Sequence, residues 1–283
     1  MTTLAIIAVA LLSLFPFTAF CSNLLYWYET LNSPCPEIPS PRLSLLNCLQ
    51  IFINSLGGYI IGVCLHPIGW FWKARPDSGK VVNPEKPPLV LVHGINDNAG
   101  VWLYLTLRLN REGCPVSTFS YFSLFSDMTT VCSRLEGHIR RVEATHPNFK
   151  PILVGHSLGG IIIRRWLQAP ANQERIRGVI TLATPHGGSK VAALAPGKLG
   201  REITPSADLI KTLQNDAAHP KIPCISLITP TDEAVLPSVS LIPPAGWRMR
   251  ITNRTSHFGM LFCPRVSRVF LEELRALSGM GTS

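Results

Sequence analysis

Charge is scarce in this 283-residue chain, and the scarcity is uneven. Only 15% of the residues are Asp, Glu, Lys or Arg, and residues 1–28 and 43–72 have none at all. Uncharged stretches of that length are not ordinary solvent-facing helices, which points to a lipid or buried environment for both. Cysteine pairing is also missing. The eight cysteines (Cys21, Cys35, Cys48, Cys64, Cys114, Cys132, Cys224, Cys263) form no Cys-x-x-Cys pair, which excludes a zinc site of ordinary spacing. The last four lie in apolar or strand-like surroundings and read as small buried hydrophobes, with a disulfide left open. There is no run of five basic residues and no groove-reading motif, so nucleic acid is excluded as a partner despite the net charge of +9. No Lys or Arg precedes Arg42 and no small-x-small cleavage site follows the first apolar run, so an uncleaved anchor is preferred to a secretory signal peptide. No internal repeat is present.

What the chain does contain is divided in two. Leu4–Phe20 is an apolar run that reaches bilayer-spanning length together with Cys21–Tyr28. A proline-rich connector (Pro34, Pro36, Pro39, Pro41) follows between Glu29 and Arg42. The second uncharged segment, Leu43–Trp72, is broken by Gly57-Gly58 and ends in Trp70, Phe71, Trp72 and Lys73, the pattern of an interfacial end. The first 72 residues are thus expected to form a membrane anchor, as two segments at 4–28 and 43–72. Lys73, Arg75, Lys80 and Lys86 follow the second segment, and the positive-inside rule then places the N-terminus and the downstream domain in the cytoplasm, with Glu29–Arg42 outside. The alternative is a single anchor followed by an interfacial second segment, which puts the domain outside. Residues 73–87 read as a polar linker. From Lys73 onward there are 25 Lys and Arg against 15 Asp and Glu (26 and 17 in all, less Arg42 and less Glu29 and Glu37), a basic domain suited to an anionic surface.

Past the linker, apolar runs alternate with helical periodicity. Strands are expected at Leu89–His93, Val116–Tyr121, Pro151–Val154, Gly178–Thr181, Cys224–Thr229 and Arg248–Ile251. Helices are expected near Val101–Arg111 and at Ser126–Thr145, Leu158–Gln168 and Cys263–Leu277. Strands separated by helices give an α/β domain over residues 88–283, with a mainly parallel sheet covered on both faces. An insertion at about 187–222 carries the apolar patches Val191–Ala195 and Leu209–Leu213, which serve equally well as a lid or as packing on the sheet.

The chemistry concentrates at Gly155-His-Ser-Leu-Gly159, a G-x-S-x-G turn joining a strand to a helix. Gly155 and Gly159 make room for Ser157, thrust out as a nucleophile. An attacked carbonyl becomes an oxyanion and needs two N–H donors, for which the backbones of Ile95, after the His93-Gly94 turn, and Leu158 are the candidates. A serine hydroxyl also needs a base, and the base needs a carboxylate. His257 lies between the last strand and the last helix, and Asp232 lies just past a strand. Glu233 is an adjacent choice of acid, and Asp208 a weaker one because it precedes its strand. His93 and His186 read as structural residues.

With Val92-His-Gly-Ile95, Gly155-His-Ser-Leu-Gly-Gly160, Thr184-Pro-His-Gly-Gly188, the Asp232 loop and Ser256-His-Phe-Gly259, the chain over roughly 88–277 resembles the α/β-hydrolase superfamily. Within it the resemblance is to bacterial triacylglycerol-lipase-like and membrane deacylase-like members. The resemblance implies a serine esterase with nucleophile Ser157, base His257 and acid Asp232, needing no metal or other cofactor. It also implies a lipid or other hydrophobic ester as substrate, and it does not reach residues 1–80. An acyltransferase or thioesterase using the same triad, and a catalytically silent lipid-binding scaffold, are the alternatives. Oligomeric state stays open.

Overall fold

The computed structural model describes residues 3–74, 86–215 and 220–279, with side chains from residue 13 onward. Most of the expected linker and a few residues near the end of the insertion lie outside the described residues.

Six parallel strands form one sheet: β1 (Leu89–Val92), β2 (Val116–Phe119), β3 (Ile152–His156), β4 (Gly178–Leu182), β5 (Cys224–Ile228) and β6 (Arg248–Ile251), in the order β2-β1-β3-β4-β5-β6. Each boundary lies within two residues of the sequence expectation. β1 to β5 are buried along their whole length, as continuous Val/Ile/Leu runs must be when both faces of a parallel sheet are covered. β6 is an edge strand. Its Arg248 and Arg250 both pair with Glu273, so charge rather than apolar surface lines that edge.

On one face of the sheet, α3 (Leu103–Arg111) and α9 (Pro264–Ser278) cover Leu91, Val154 and Ile180, with Phe270 and Leu274 of α9 fully in the core. On the other face lie α4 (Met128–Thr145) and α5 (Leu158–Leu167), which bring Val131, Leu135, Ile139, Ile161 and Ile162 onto Val90, Leu153 and Val179. α4 starts where Asp127 accepts a hydrogen bond from the Thr130 N–H at 2.9 Å, a side-chain N-cap. A short α6 (Pro170–Arg175) follows α5. The insertion holds α7 (Lys198–Glu202) and α8 (Asp208–Asn215), and buries Leu199, Ile203, Ile210 and Leu213 in the same core as α4 and α5. Of the two apolar patches, Leu209, Ile210 and Leu213 pack on this core, whereas Leu194 of the first is exposed.

The N-terminal part is a helical hairpin, α1 (Thr3–Asn32) and α2 (Leu45–Phe71). The expected break of the second segment at Gly57-Gly58 does not occur, and α2 runs unbroken through both glycines and Pro67. A Cβ on Gly58 would sit 2.9 Å from the Ser256 hydroxyl, so a glycine that weakens an isolated helix is here the residue that lets the helix dock. Tighter still is the crossing at Gly69 and Gly100, where added Cβ atoms would meet Asn98 Oδ1 at 1.9 Å and the Leu65 carbonyl at 2.2 Å. Asn98 also donates to the His66 carbonyl at 2.8 Å, and Ser256 to the Asn54 carbonyl at 2.9 Å. From Asn54 to Gly69 is about 22 Å of helix, all of it laid along the domain.

The connector is docked as well. Cys35 and Ile38 pack with Ile228, Val235 and Leu241 of the sheet domain, Tyr26 donates to the Pro230 carbonyl, and buried Glu29 pairs with Lys190 at 2.8 Å. Beyond α2, Ala74 exchanges hydrogen bonds with Thr118 of β2. Residues 29–42, expected on the far side of a membrane in the two-span topology, thus touch the sheet domain. All eight cysteines are free thiols.

Candidate active site

The site forms at the carboxyl ends of β1 and β3, where the strand order reverses, the usual crevice of an open parallel sheet. Ser157 caps α5 with φ 52° and ψ −123°, a left-handed conformation that costs a non-glycine residue on the order of 1–3 kcal/mol. The surroundings hold it there. Its N–H donates to the Leu182 carbonyl at 2.9 Å, and its carbonyl accepts from the Thr184 hydroxyl at 3.1 Å. A Cβ on Gly155 would lie 2.6 Å from Gly160 N and one on Gly159 2.1 Å from the Val92 carbonyl, so any side chain at either position would push the elbow apart.

The His93-Gly94 turn passes directly over the serine: a Cβ on Gly94 would be 3.1 Å from Ser157 Cβ. His93 is fixed from three sides, by its contact with the Gly94 carbonyl at 2.8 Å, by the Tyr121 N–H donating to Nε2 at 3.2 Å, and by stacking on Tyr121 at 4.3 Å. Burial lowers its pKa to about 4, so it stays neutral and structural, holding the loop that presents Ile95. Leu158, as the first residue of α5, has no carbonyl four residues back within its helix, which leaves its N–H available.

The base and its acid meet after β6 and β5. His257 Nδ1 lies 2.9 and 3.0 Å from the two carboxylate oxygens of Asp232, and Asp232 also accepts from the N–H groups of Ala234 and Val235. Glu233 turns the other way and accepts from the His257 main-chain N–H at 3.0 Å. Burial first, and the neighbouring Asp232 charge second, push the Glu233 carboxyl up to about 7. For His257, burial alone would lower the pKa, but the Asp232 charge and hydrogen bond outweigh it, with Glu233 and Asp97 adding to them, and the result is raised. The ring hydrogen bonds of His257 run to Asp232, and none joins the ring to the Ser157 hydroxyl. In unliganded sites such contacts are often long and tighten with substrate. Asp208 stands at the start of α8 and is not among these contacts.

His186 has both ring nitrogens occupied, by the Ser226 hydroxyl at 3.1 Å and Arg164 at 3.4 Å. Two neighbours went unremarked in the sequence. His156 lies with its ring 4.8 Å from that of His257 and its Nε2 3.3 Å from the His257 carbonyl. Asp97 is half-buried with its Oδ2 atom enclosed and unpartnered, and burial lifts its pKa to about 7. The only sequence signal for either is its place beside a motif residue. Among the described residues no group of three or more His, Cys, Asp or Glu side chains is arranged to hold a metal ion.

A parallel sheet with a serine elbow after β3 and a carboxylate-histidine pair supplied by the loops after β5 and β6 is the α/β-hydrolase fold. The sequence agrees, since residues 87–215 match the family model described as alpha/beta hydrolase fold. No curated protein matches the chain. Among solved structures, it is similar to the mature lipase BlEst2 of Bacillus licheniformis at 18% identity, over 73% of this chain and 98% of that one, with a TM-score of 0.62. It is similar to the monoacylglycerol lipase of Paleococcus ferrophilus at 19% identity, over 73% and 99%, with a TM-score of 0.54. A soluble variant of monoglyceride lipase from Saccharomyces cerevisiae is 15% identical over 75% and 91%, with a TM-score of 0.55. At these identities the likeness is one of fold.

Proposed function

We propose that this protein is a membrane-associated serine hydrolase that cleaves acyl esters of lipids through an acyl-enzyme on Ser157. The observation that carries the reading is the strained Ser157 beneath the Gly94 turn, with the Asp232–His257 pair hydrogen-bonded beside it. Ser157 Oγ attacks the ester carbonyl as His257 takes its proton, and the oxyanion is held by the N–H groups of Ile95 and Leu158. The leaving alcohol takes that proton from His257. Water then attacks the acyl-enzyme, giving a proton to His257, and the acid departs as the proton returns to Ser157.

Lipid as substrate, and the membrane as its source, are supported by the hairpin. α2 is long and apolar enough to cross a membrane, yet it lies along the domain with its other face bare, Leu45 86%, Leu46 74% and Phe71 90% exposed. An apolar face backed by a folded domain is what an interfacial helix needs. The two monoglyceride lipases named above are consistent with this substrate class. Ser157→Ala should lower kcat for p-nitrophenyl butanoate by about 10⁴ or more in purified full-length protein. Residual turnover of a tenth, or no labelling of the native protein by a fluorophosphonate, would sink the mechanism.

A further inference from the structure

One cavity lies between the hairpin and the loop that passes over Ser157. It has a volume of about 420 Å³ and is walled by Leu14 and Phe15 of α1, Tyr59 and Val63 of α2, Ile95 of the loop over Ser157, and Phe258 beside His257. That volume lies within the roughly 300–1,000 Å³ of small-molecule sites. Its lining is graded. The hairpin side is mostly aliphatic and aromatic, while at the other end stands Asp97, whose unpartnered Oδ2 would lie 3.2 Å from a Cβ on Gly94, the same atom that would be 3.1 Å from Ser157. The polar end is therefore beside the nucleophile and the apolar end between the two helices. The insertion that would supply an acyl pocket as a lid instead spends Leu199, Ile203, Ile210 and Leu213 on the core.

Resting on the ester-hydrolase reading above, we propose that this cavity is the acyl-chain site, in which the fatty chain of a membrane lipid lies between α1 and α2 with its carbonyl at Ile95 and Ser157. The helices then do more than attach the enzyme. Their outer faces are apolar at Phe17 and Ile61 as well as at the ends of α2, so a chain passes from lipid into the cleft without crossing water. Selectivity for chain length follows from how far the α1–α2 cleft is filled. A Cβ on Gly62 meets only Phe258 ring carbons, at 3.8 and 3.9 Å, so a larger side chain there grows into the cavity.

The test uses full-length protein in phosphatidylcholine vesicles and a hexadecyl fluorophosphonate carrying a diazirine at the far end of its chain. Ser157 Oγ displaces fluoride and forms the P–O bond, its proton passing to His257; irradiation then joins the chain end to whatever it touches. Crosslinks are expected in Leu14–Thr18 or Tyr59–Pro67. Labelling of Ser157 with crosslinks in 187–215 instead overturns the acyl site and leaves the hydrolase reading standing, whereas no labelling of Ser157 removes both. Independently, Gly62→Trp and Val63→Trp should each lower the ratio of kcat/KM for hexadecanoate over butanoate esters by about tenfold or more, the scale of a few misplaced methylenes in an apolar pocket. An unchanged ratio in both variants counts against the proposal.

Discussion

One carboxylate holds the His257 ring and the next holds its main chain, so two adjacent acids do different work. In the proposed mechanism Asp232 fixes the tautomer and faces the charge that forms on the imidazole, while Glu233 anchors the loop. Asp232→Asn should therefore cost on the order of 10⁴ in kcat by the logic of the triad, and Glu233→Gln far less, with kcat/KM for a soluble butanoate ester as the measure. The reverse order would reassign the acid. Glu233 also shapes the pH profile. In the proposed mechanism the free imidazole is the base, so kcat/KM should fall on the acid side as pH drops through the raised pKa of His257. The Asp232 charge, and the charge on the ionised fraction of Glu233 and Asp97, favour the imidazolium, so removing one lowers that pKa. Glu233→Gln should move the acid limb to lower pH, and Asp97→Asn should move it the same way; a limb that stays fixed in both variants contradicts this electrostatic account. The places of Ser157, Asp232 and His257 were legible in the sequence because each sits next to a strand end in a short motif. Asp97 and His156 were not, since what distinguishes them is burial against His257 and the Gly94 turn, created only when three distant loops meet.

At the scale of elements, the sheet was legible to within two residues because its strands are continuous apolar runs with sharp polar ends. The helix α2 was misread at Gly57-Gly58 because local propensity was overruled by docking. The two glycines make a paired test of that statement. Nothing lies within 4 Å of a Cβ added to Gly57, whereas one on Gly69 would collide with Asn98. Gly57→Ala should leave stability unchanged or raise it by up to about 1 kcal/mol. Gly69→Ala should cost about 1–3 kcal/mol by overpacking, seen as a lower Tm in detergent. Because Asn98 belongs to the loop that carries Ile95 and Asp97, Gly69→Ala should also depress kcat beyond what the fraction folded explains. Equal melting temperatures for the two variants would mean that α2 does not pack on this loop.

For the whole molecule, the question is how a chain with two long uncharged segments meets a membrane. Charge counting favoured a hairpin of two spans with the connector on the far side, because sequence carries no record that Cys35 and Ile38 will find partners two hundred residues away. The contacts argue otherwise. α2 begins after a connector docked on the domain, lies against the domain through its middle, and ends three residues before Ala74, which pairs with Thr118, so the chain on either side of it and one of its faces are held by protein. On the membrane-associated reading proposed above, a helix so held lies at the interface rather than across the bilayer. The prediction is that the connector and the C-terminus occupy one compartment. Alkaline phosphatase and green fluorescent protein, each fused at Ser283 or inserted after Ser40 in the full chain, should give the same answer at both positions: enzyme active and fluorophore dark at both, or the reverse at both. Opposite answers at Ser40 and Ser283 would restore the two-span hairpin and require α2 to leave the domain.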